Sequence, residues 1–297
     1  MTNLMEIEKF EKLESNSTEQ AVLKLMETPE GRENIFLCYY EWDANSAFQR
    51  FYSSEEWNAV LRLLSQYPPP SMKALDLGAG NGIGTYALNK SGYLVTSLEP
   101  DPSELVGYGA LKKVLKLKTF SVYPVSGYGE SLPFKDQIFG LVYLRQVLHH
   151  SKELKKMMNE ISRVLMPGGI FIATREHVVD DDDSLEAFLR NHALHKYTKS
   201  ESAFLQSEYL LALEGAGFKL KKLLLSWDSV INYYPMTDAI LKQNLYKSLR
   251  DKVGPLSGFF SKLPGLVELY KRIKSYKDRT PGRMISFVAK KKNRDSY

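Results

Sequence analysis

Apolar positions along this chain fall into two kinds of segment. The first seventy residues carry helical spacing only. In TEQAVLKLMETPEG (18–31) apolar side chains recur at helix period, and Pro29 with Gly31 mark the predicted stop. SSEEWNAVLRLLSQY (53–67) opens on a serine N-cap and an acidic first turn, and ends before Pro68–Pro70. That triple proline sets the predicted border of a helical cap, 1–70.

Beyond it, short apolar runs alternate with helical segments. KALDL, YLVTSLEP, FSVYPV, IFGLVYL, IFIAT, FKLKKLLLS and MISFVAKK read as seven strands. Helices are predicted from near Gly82, over GALKKVLKL, over SKELKKMMNEISRVL capped by Ser151 and stopped at MPGG, and over SESAFLQSEYLLALEGAG. Alternation of this kind predicts an α/β fold, a doubly wound, mostly parallel seven-stranded sheet. The predicted parts are the cap, a core at 71–225, a helical basic insertion at 226–283 and a last strand with its tail at 284–297.

The first strand runs directly into glycines, ALDLGAGNGIGTYAL (74–88). In an open parallel sheet ligands bind beyond the carboxyl ends of the strands, where glycine lets a ligand approach the backbone. A dinucleotide fingerprint would need a third glycine at position 83, which is Ile83, so a nicotinamide dehydrogenase is disfavoured. The G-x-G-x-G spacing behind Asp76 resembles the first motif of class I S-adenosylmethionine-dependent methyltransferases, with a domain of the type 11 kind. Glu99 at the end of the second strand, GYGESLPF (127–134) and RVLMPGGIFIAT (163–174) extend the resemblance, which covers roughly 73–225.

The resemblance implies a Rossmann-like fold, S-adenosylmethionine as cofactor and methyl transfer as activity. It implies that Asp76 and the backbone at Gly78 and Ala79 hold the amino-acid end of the cofactor, and that Gly80 and Gly82 let the chain pass close to it. A carboxylate placed as Glu99 is can accept both hydroxyls of a ribose, Asp101 being a substitute. The loop acid that usually meets adenine aligns with Tyr128. Recognition there would use the Gly129 N–H, Glu130 or stacking on Tyr128. Arg145 would meet the cofactor carboxylate or an anionic substrate.

Methyl transfer needs an acceptor held in line, and an oxygen acceptor needs a base. The five histidines, His149, His150, His177, His192 and His195, all follow the predicted fourth or fifth strand. His149 or His150, then His177, are the candidate bases, with Glu176 orienting one of them or binding a substrate hydroxyl. No spaced metal motif such as H-E-x-x-H occurs, and no metal is expected. The absence of an N/D-P-P-Y/F segment and of a Pro-Cys nucleophile after the fourth strand disfavours methylation of bases or glutamine amides and of cytosine C5. CYYEWDANSAFQRFY (38–52) and SWDSVINYYPMT (226–237) could line the acceptor pocket.

Composition and charge modify this picture in two places. A single cysteine, Cys38, excludes an intrachain disulfide and fits a reducing compartment. With a charged N-terminus and no long apolar run, a cytoplasmic protein is expected. The net charge of +5 is divided unevenly: residues 1–70 carry 12 acidic and 6 basic side chains, residues 242–294 carry 15 basic and 3 acidic. That basic region, with LVELYKRIKSYKDR as a short amphipathic helix, could meet a membrane surface, another anionic partner or nucleic acid. The leading expectation is methylation of an O or N atom of a small-molecule or glycan-type acceptor. RNA- or protein-directed methylation and a non-catalytic cofactor-binding relative are the alternatives.

Overall fold

The computed structural model of the chain describes residues 18–41, 43–115, 122–198, 201–254, 263 and 265–293. Four helices come first: α1 (Thr18–Leu25), α2 (Pro29–Leu37), α3 (Ala44–Tyr52) and α4 (Glu55–Gln66). Pro29 starts a helix where the sequence predicted an end. It stands in the first turn of α2, where its missing N–H costs nothing, and Thr28 caps that turn by accepting from the Gly31 N–H at 3.0 Å. Ser54 caps α4 through the Trp57 N–H at 3.0 Å, as its position suggests.

Next come β1 (Lys73–Leu77), α5 (Ile83–Lys90), β2 (Leu94–Leu98), α6 (Tyr108–Leu115), β3 (Val122–Val125), β4 (Phe139–Arg145), a 3₁₀ turn (Leu148–His150), α7 (Leu154–Val164) and β5 (Leu165–Val179). The chain continues through α8 (Asp182–Asn191), α9 (His195–Thr198), β6 (Phe204–Leu205), α10 (Gln206–Gly215), β7 (Phe218–Leu224), α11 (Val230–Tyr233), α12 (Asp238–Val253), α13 (Leu266–Lys277) and β8 (Arg283–Lys291). The sheet order is β3-β2-β1-β4-β5-β8-β7, with the two-residue β6 paired to β5. All pairs among the first five strands are parallel, and β8 is antiparallel to both neighbours. Strands β1 and β4 part at the switch point of this order, and the glycines follow β1.

Both faces of the sheet are covered, which is why its central strands are apolar throughout. On one face Phe48, Phe51, Trp57 and Leu63 of the N-terminal helices share a cluster with Tyr86 of α5 and with Ala74, Tyr143, Ile172 and Val288 of the sheet. On the other, Met157, Met158 and Ile161 of α7 and Tyr209 and Leu213 of α10 meet Leu75, Val142, Phe171 and Phe287. The cap is therefore fused to the sheet's own core.

Three further elements depart from the pattern-based reading. Strand β5 is fifteen residues long. It starts at Leu165 and does not end at Thr174; the predicted reversal at MPGG survives within it as a register shift against β4 between Leu165 and Ile170, with Gly168 at φ 72°. A register shift between Ala173 and Glu176, with Arg175 at φ 60°, bulges the strand and lets it run on against β8. Helix α7 begins after Glu153, not at Ser151, because Ser151 ends the 3₁₀ turn, with its N–H on the Leu148 carbonyl and its Oγ donating to Glu130. The helix predicted over 200–217 is confined to α10, its first part being drawn to β5 as β6. Phe120 and Ser121 of the third predicted strand, the first seventeen residues, Trp42, and 255–262, 264 and 294–297 of the basic region lie outside the described residues.

Candidate active site

The glycine turn is held by its own strand neighbours. Gly78 N and Ala79 N both donate to the Leu98 carbonyl, at 2.8 and 3.1 Å, and Gly80 N donates to Glu99 Oε2 at 2.7 Å. Gly78, Gly80 and Gly82 have φ of 68°, 54° and 93°, a region that side chains other than glycine's enter at a cost. A Cβ on Gly78 would also lie 2.6 Å from Val147 Cγ2. Gly82 begins α5 without a side-chain cap, so the first-turn N–H groups face the turn.

Glu99 is buried and accepts the Asp101 N–H at 2.9 Å through its other oxygen, so its carboxylate is fixed beside the turn. Burial raises its pKa. Asp76 sits below the turn, where Thr85 Oγ1 donates to it at 2.6 Å and in turn meets Ser97 Oγ at 2.7 Å. Burial pushes the Asp76 carboxyl up to about 7, against the hydrogen bond from Thr85. Asn81, which sequence reasoning passed over, donates from Nδ2 to the Tyr39 carbonyl at 2.7 Å and ties the cap to the turn.

Gly129 packs against Met157, with no room for a Cβ. Glu130 accepts from Ser151 Oγ at 2.6 Å and from the Lys152 N–H at 3.2 Å, and Tyr128 is exposed. Arg145 is held by the cap. Its Nε and Nη2 reach Glu56 Oε1 and Oε2 at 2.7 and 3.2 Å, and Nη1 reaches Gln146 Oε1 at 2.8 Å. Glu56 is fully buried and stands 89 residues away in the chain, which spacing alone could not reveal. Arg175 is the second guanidinium at this wall, donating from Nη1 to the Ile231 and Tyr234 carbonyls at 2.8 and 3.1 Å.

The histidines converge as their clustering in the sequence suggested, but on partners it did not indicate. Glu176 and His177 lie inside β5 beyond the bulge, not in a loop leaving it. Glu176 accepts the Val147 N–H at 3.1 Å, the His149 N–H at 3.2 Å and His149 Nδ1 at 2.8 Å. With Glu176 as the ionised acceptor, the His149 ring is assigned the tautomer that carries its hydrogen on Nδ1 and a lone pair on Nε2. His149 Nε2 lies 3.7 Å, and His150 Nε2 3.9 Å, from Glu201 Oε2. His177 lies edge-on to His149 with ring centres 4.7 Å apart, and its Nδ1 meets the Gly282 carbonyl at 2.6 Å. Burial lowers the pKa of both His149 and His177 well below the usual imidazole value.

One cavity of about 970 Å³ joins these two groups. Its wall runs from Gly78–Asn81 and Glu99 past Val147 to His149, His150, His177 and Glu201, with Asn34, Cys38 and Tyr40 of the cap closing it. Glu201 carried no signal in the sequence. It is a lone acid in a serine-rich stretch, and only its position in space recommends it.

Comparison with known proteins agrees with this geometry. Residues 75–173 match the family described as a methyltransferase domain. This central segment is similar to methyltransferase domains. A further match is an uncharacterised methyltransferase of Bacillus subtilis, YcgJ, 28% identical over 128 residues, covering 40% of this chain and 46% of that protein. Another is a sterol 24-C-methyltransferase of Gibberella zeae, 30% identical over 197 residues, covering 62% of this chain and 50% of that one. The chain thus spans about half the length of the curated relatives it matches. Among solved structures, the [4+2]-cyclase SpnF is similar with a TM-score of 0.52 and 18% identity, over 80% of this chain and 81% of that one. A Haemonchus contortus phosphoethanolamine N-methyltransferase, solved with S-adenosylhomocysteine, is similar with a TM-score of 0.50 and 21% identity, over 80% and 53%. These structural likenesses show the fold.

The cofactor of the methyltransferase domain is S-adenosylmethionine, and the residues present fit it. The bare turn at Gly78 and Gly80 leaves backbone where a side chain would fill the space, Glu99 is fixed beside it, and the cavity is large enough. No helix among the described residues is long and apolar enough to cross a membrane.

Proposed function

We propose that this protein transfers a methyl group from S-adenosylmethionine to an O or N atom of a small-molecule or sugar-like acceptor. The observation that carries the reading is the single cavity in which the glycine turn and Glu99 face the His149–His150–Glu201 group. When bound, the cofactor supplies a methyl group activated by its sulfonium.

Each part of the cavity has a task. Asp76, Gly78, Ala79, Gly80 and Gly82 shape the turn that receives the amino-acid end, and Glu99 receives the ribose. Gly129, with Glu130 held behind it, borders the adenine end. Arg145 acts through Glu56, keeping the cap seated over the cavity. Asn34, Cys38 and Tyr40 of the cap line that side of the cavity. At the far end, Glu176 holds His149 so that its Nε2 lone pair meets the acceptor, and His150 and His177 complete that wall. An acceptor lone pair held against the methyl group would take it as the carbon–sulfur bond breaks, the bonding electrons staying on sulfur. The acceptor's proton leaves toward Nε2.

The relatives named above include a sterol methyltransferase, and a cavity of about 970 Å³ has room for an acceptor of small-molecule size beside the cofactor. The test is calorimetric titration with S-adenosylmethionine and S-adenosylhomocysteine, with NAD as control, on the native chain and on Glu99→Ala. Micromolar binding of the first two alone, weakened at least about tenfold by Glu99→Ala, is the expected result. Binding of NAD, or an affinity that ignores Glu99, overturns the reading.

A further inference from the structure

The His149–His150–Glu201 group has a feature that methyl transfer does not require. Three potential ligand atoms, one from each residue, lie within 4.8 Å of one another. Glu176 accepts from His149 Nδ1, so His149 Nε2 presents a lone pair, not a hydrogen, and that lone pair faces the Glu201 carboxylate at 3.7 Å. Two electron-rich atoms at that distance in a buried pocket repel, and a cation between them would relieve the repulsion. Glu201 Oε2 is nearly as far from His150 Nε2, at 3.9 Å. Ligand atoms in a tetrahedral site on bonds of 2.0–2.1 Å are roughly 3.3 Å apart, so small side-chain movements would close the site.

The surroundings are those of a metal centre. A carboxylate bonded to the far nitrogen of a ligating imidazole fixes its orientation and strengthens it as a ligand, and Glu176 holds that position on His149. His192 lines the same cavity, and its Nδ1 is buried without a hydrogen-bond partner among the described residues. Nitrogen and oxygen ligands in this number suit a divalent first-row transition ion and leave coordination positions open.

We propose that His149, His150 and Glu201 bind a divalent transition ion, with Zn²⁺ as the reference case, whose open positions face the cavity. In the bound state Nε2 of His149 is a ligand. There the ion would lower the pKa of an acceptor hydroxyl at an open position, so that the hydroxyl proton would pass to solvent in place of His149 Nε2. This use of the ion rests on the methyl-transfer reading, and the site itself does not. It narrows the acceptor to one bearing an oxygen donor.

The experiment uses tag-free full-length protein, stripped with a chelator and titrated with Co²⁺ while its visible absorption is recorded, then with Zn²⁺ by calorimetry. One ion per chain at micromolar affinity, with Co²⁺ displaced by Zn²⁺, is expected. Glu201→Gln and His150→Ala should each lower that affinity at least about tenfold while S-adenosylhomocysteine still binds, which shows that the variants are folded. Absence of stoichiometric uptake by the native chain, or equal affinity in both variants, overturns the site. Methyl transfer by chelator-treated protein overturns the proposed use while leaving ion binding to the titration. Ion binding without any affinity for S-adenosylmethionine overturns the methyl-transfer reading alone.

Discussion

The two ends of the cavity are built from different material. The cofactor end is mostly backbone: positive-φ glycines, a helix start and two N–H donors sharing the Leu98 carbonyl. The acceptor end is all side chains, brought together from β5, a 3₁₀ turn and the segment before β6. Backbone cradles tolerate no added atoms but ask little of neighbouring side chains. Side-chain sites depend on distant residues that fix each rotamer and tautomer.

The sharpest way to break this contrast is to put one methyl group on the turn. Gly78→Ala must hold alanine at φ 68°, and its Cβ would sit 2.6 and 2.7 Å from two carbons of Val147. Either the turn or the Val147 segment moves. Affinity for S-adenosylhomocysteine should fall about 100-fold, some 2.7 kcal/mol, in a calorimetric titration. Unchanged affinity would mean that the turn's backbone does not form the cradle.

At the other end the matching change leaves every carbon in place. Glu176→Gln keeps the size of the side chain, but its amide nitrogen cannot accept, so an N–H of Val147 or His149 or the His149 ring loses its partner. Turnover should drop about 10- to 100-fold, as for other groups that orient a working imidazole, with cofactor affinity nearly unchanged. Steady-state kinetics beside calorimetry checks this. Equal loss of turnover and cofactor affinity would erase the distinction between the ends.

That distinction also decides how much could be read from the chain. The turn was legible because its determinants are local: Asp76 near the end of one strand and the glycines just beyond it span seven residues, and Glu99 directly follows the next strand. The parallel sheet was legible for the same reason, each strand carrying its own apolar run. The acceptor end was half legible. Histidines clustered in sequence and do meet in space, but their fixing partners are nonlocal. Nothing near Arg145 indicates that Glu56 takes its guanidinium, and nothing near His149 indicates Glu201. Glu176 was noticed, yet its place inside a strand depended on the bulge at Arg175, where a non-glycine residue takes a positive φ that tertiary contacts impose. The β-branched pair Val178–Val179 after His177 was the one local sign that the strand continues.

Acidity offers a gentler probe, because burial favours the neutral form at both ends and so moves acids and imidazoles in opposite directions. Histidines 149 and 177 are held below their ordinary value, whereas Asp76 is raised from 3.8 to about 7. Below pH 3.8 the Asp76 carboxyl is protonated whether the chain is folded or not. Between there and about 7 the folded state keeps a proton that the unfolded chain has released. Stability therefore falls as pH rises through this window, and the loss is complete above it. Asp76→Asn keeps an acceptor for Thr85 Oγ1 but cannot ionise, so it removes this slope. In thermal unfolding without cofactor, the variant should match the native chain near pH 4 and exceed it by roughly 10 °C at pH 8. A constant offset across that range would show that the effect is one of packing, and that the cofactor end does not hold a buried titrating acid beneath its backbone cradle.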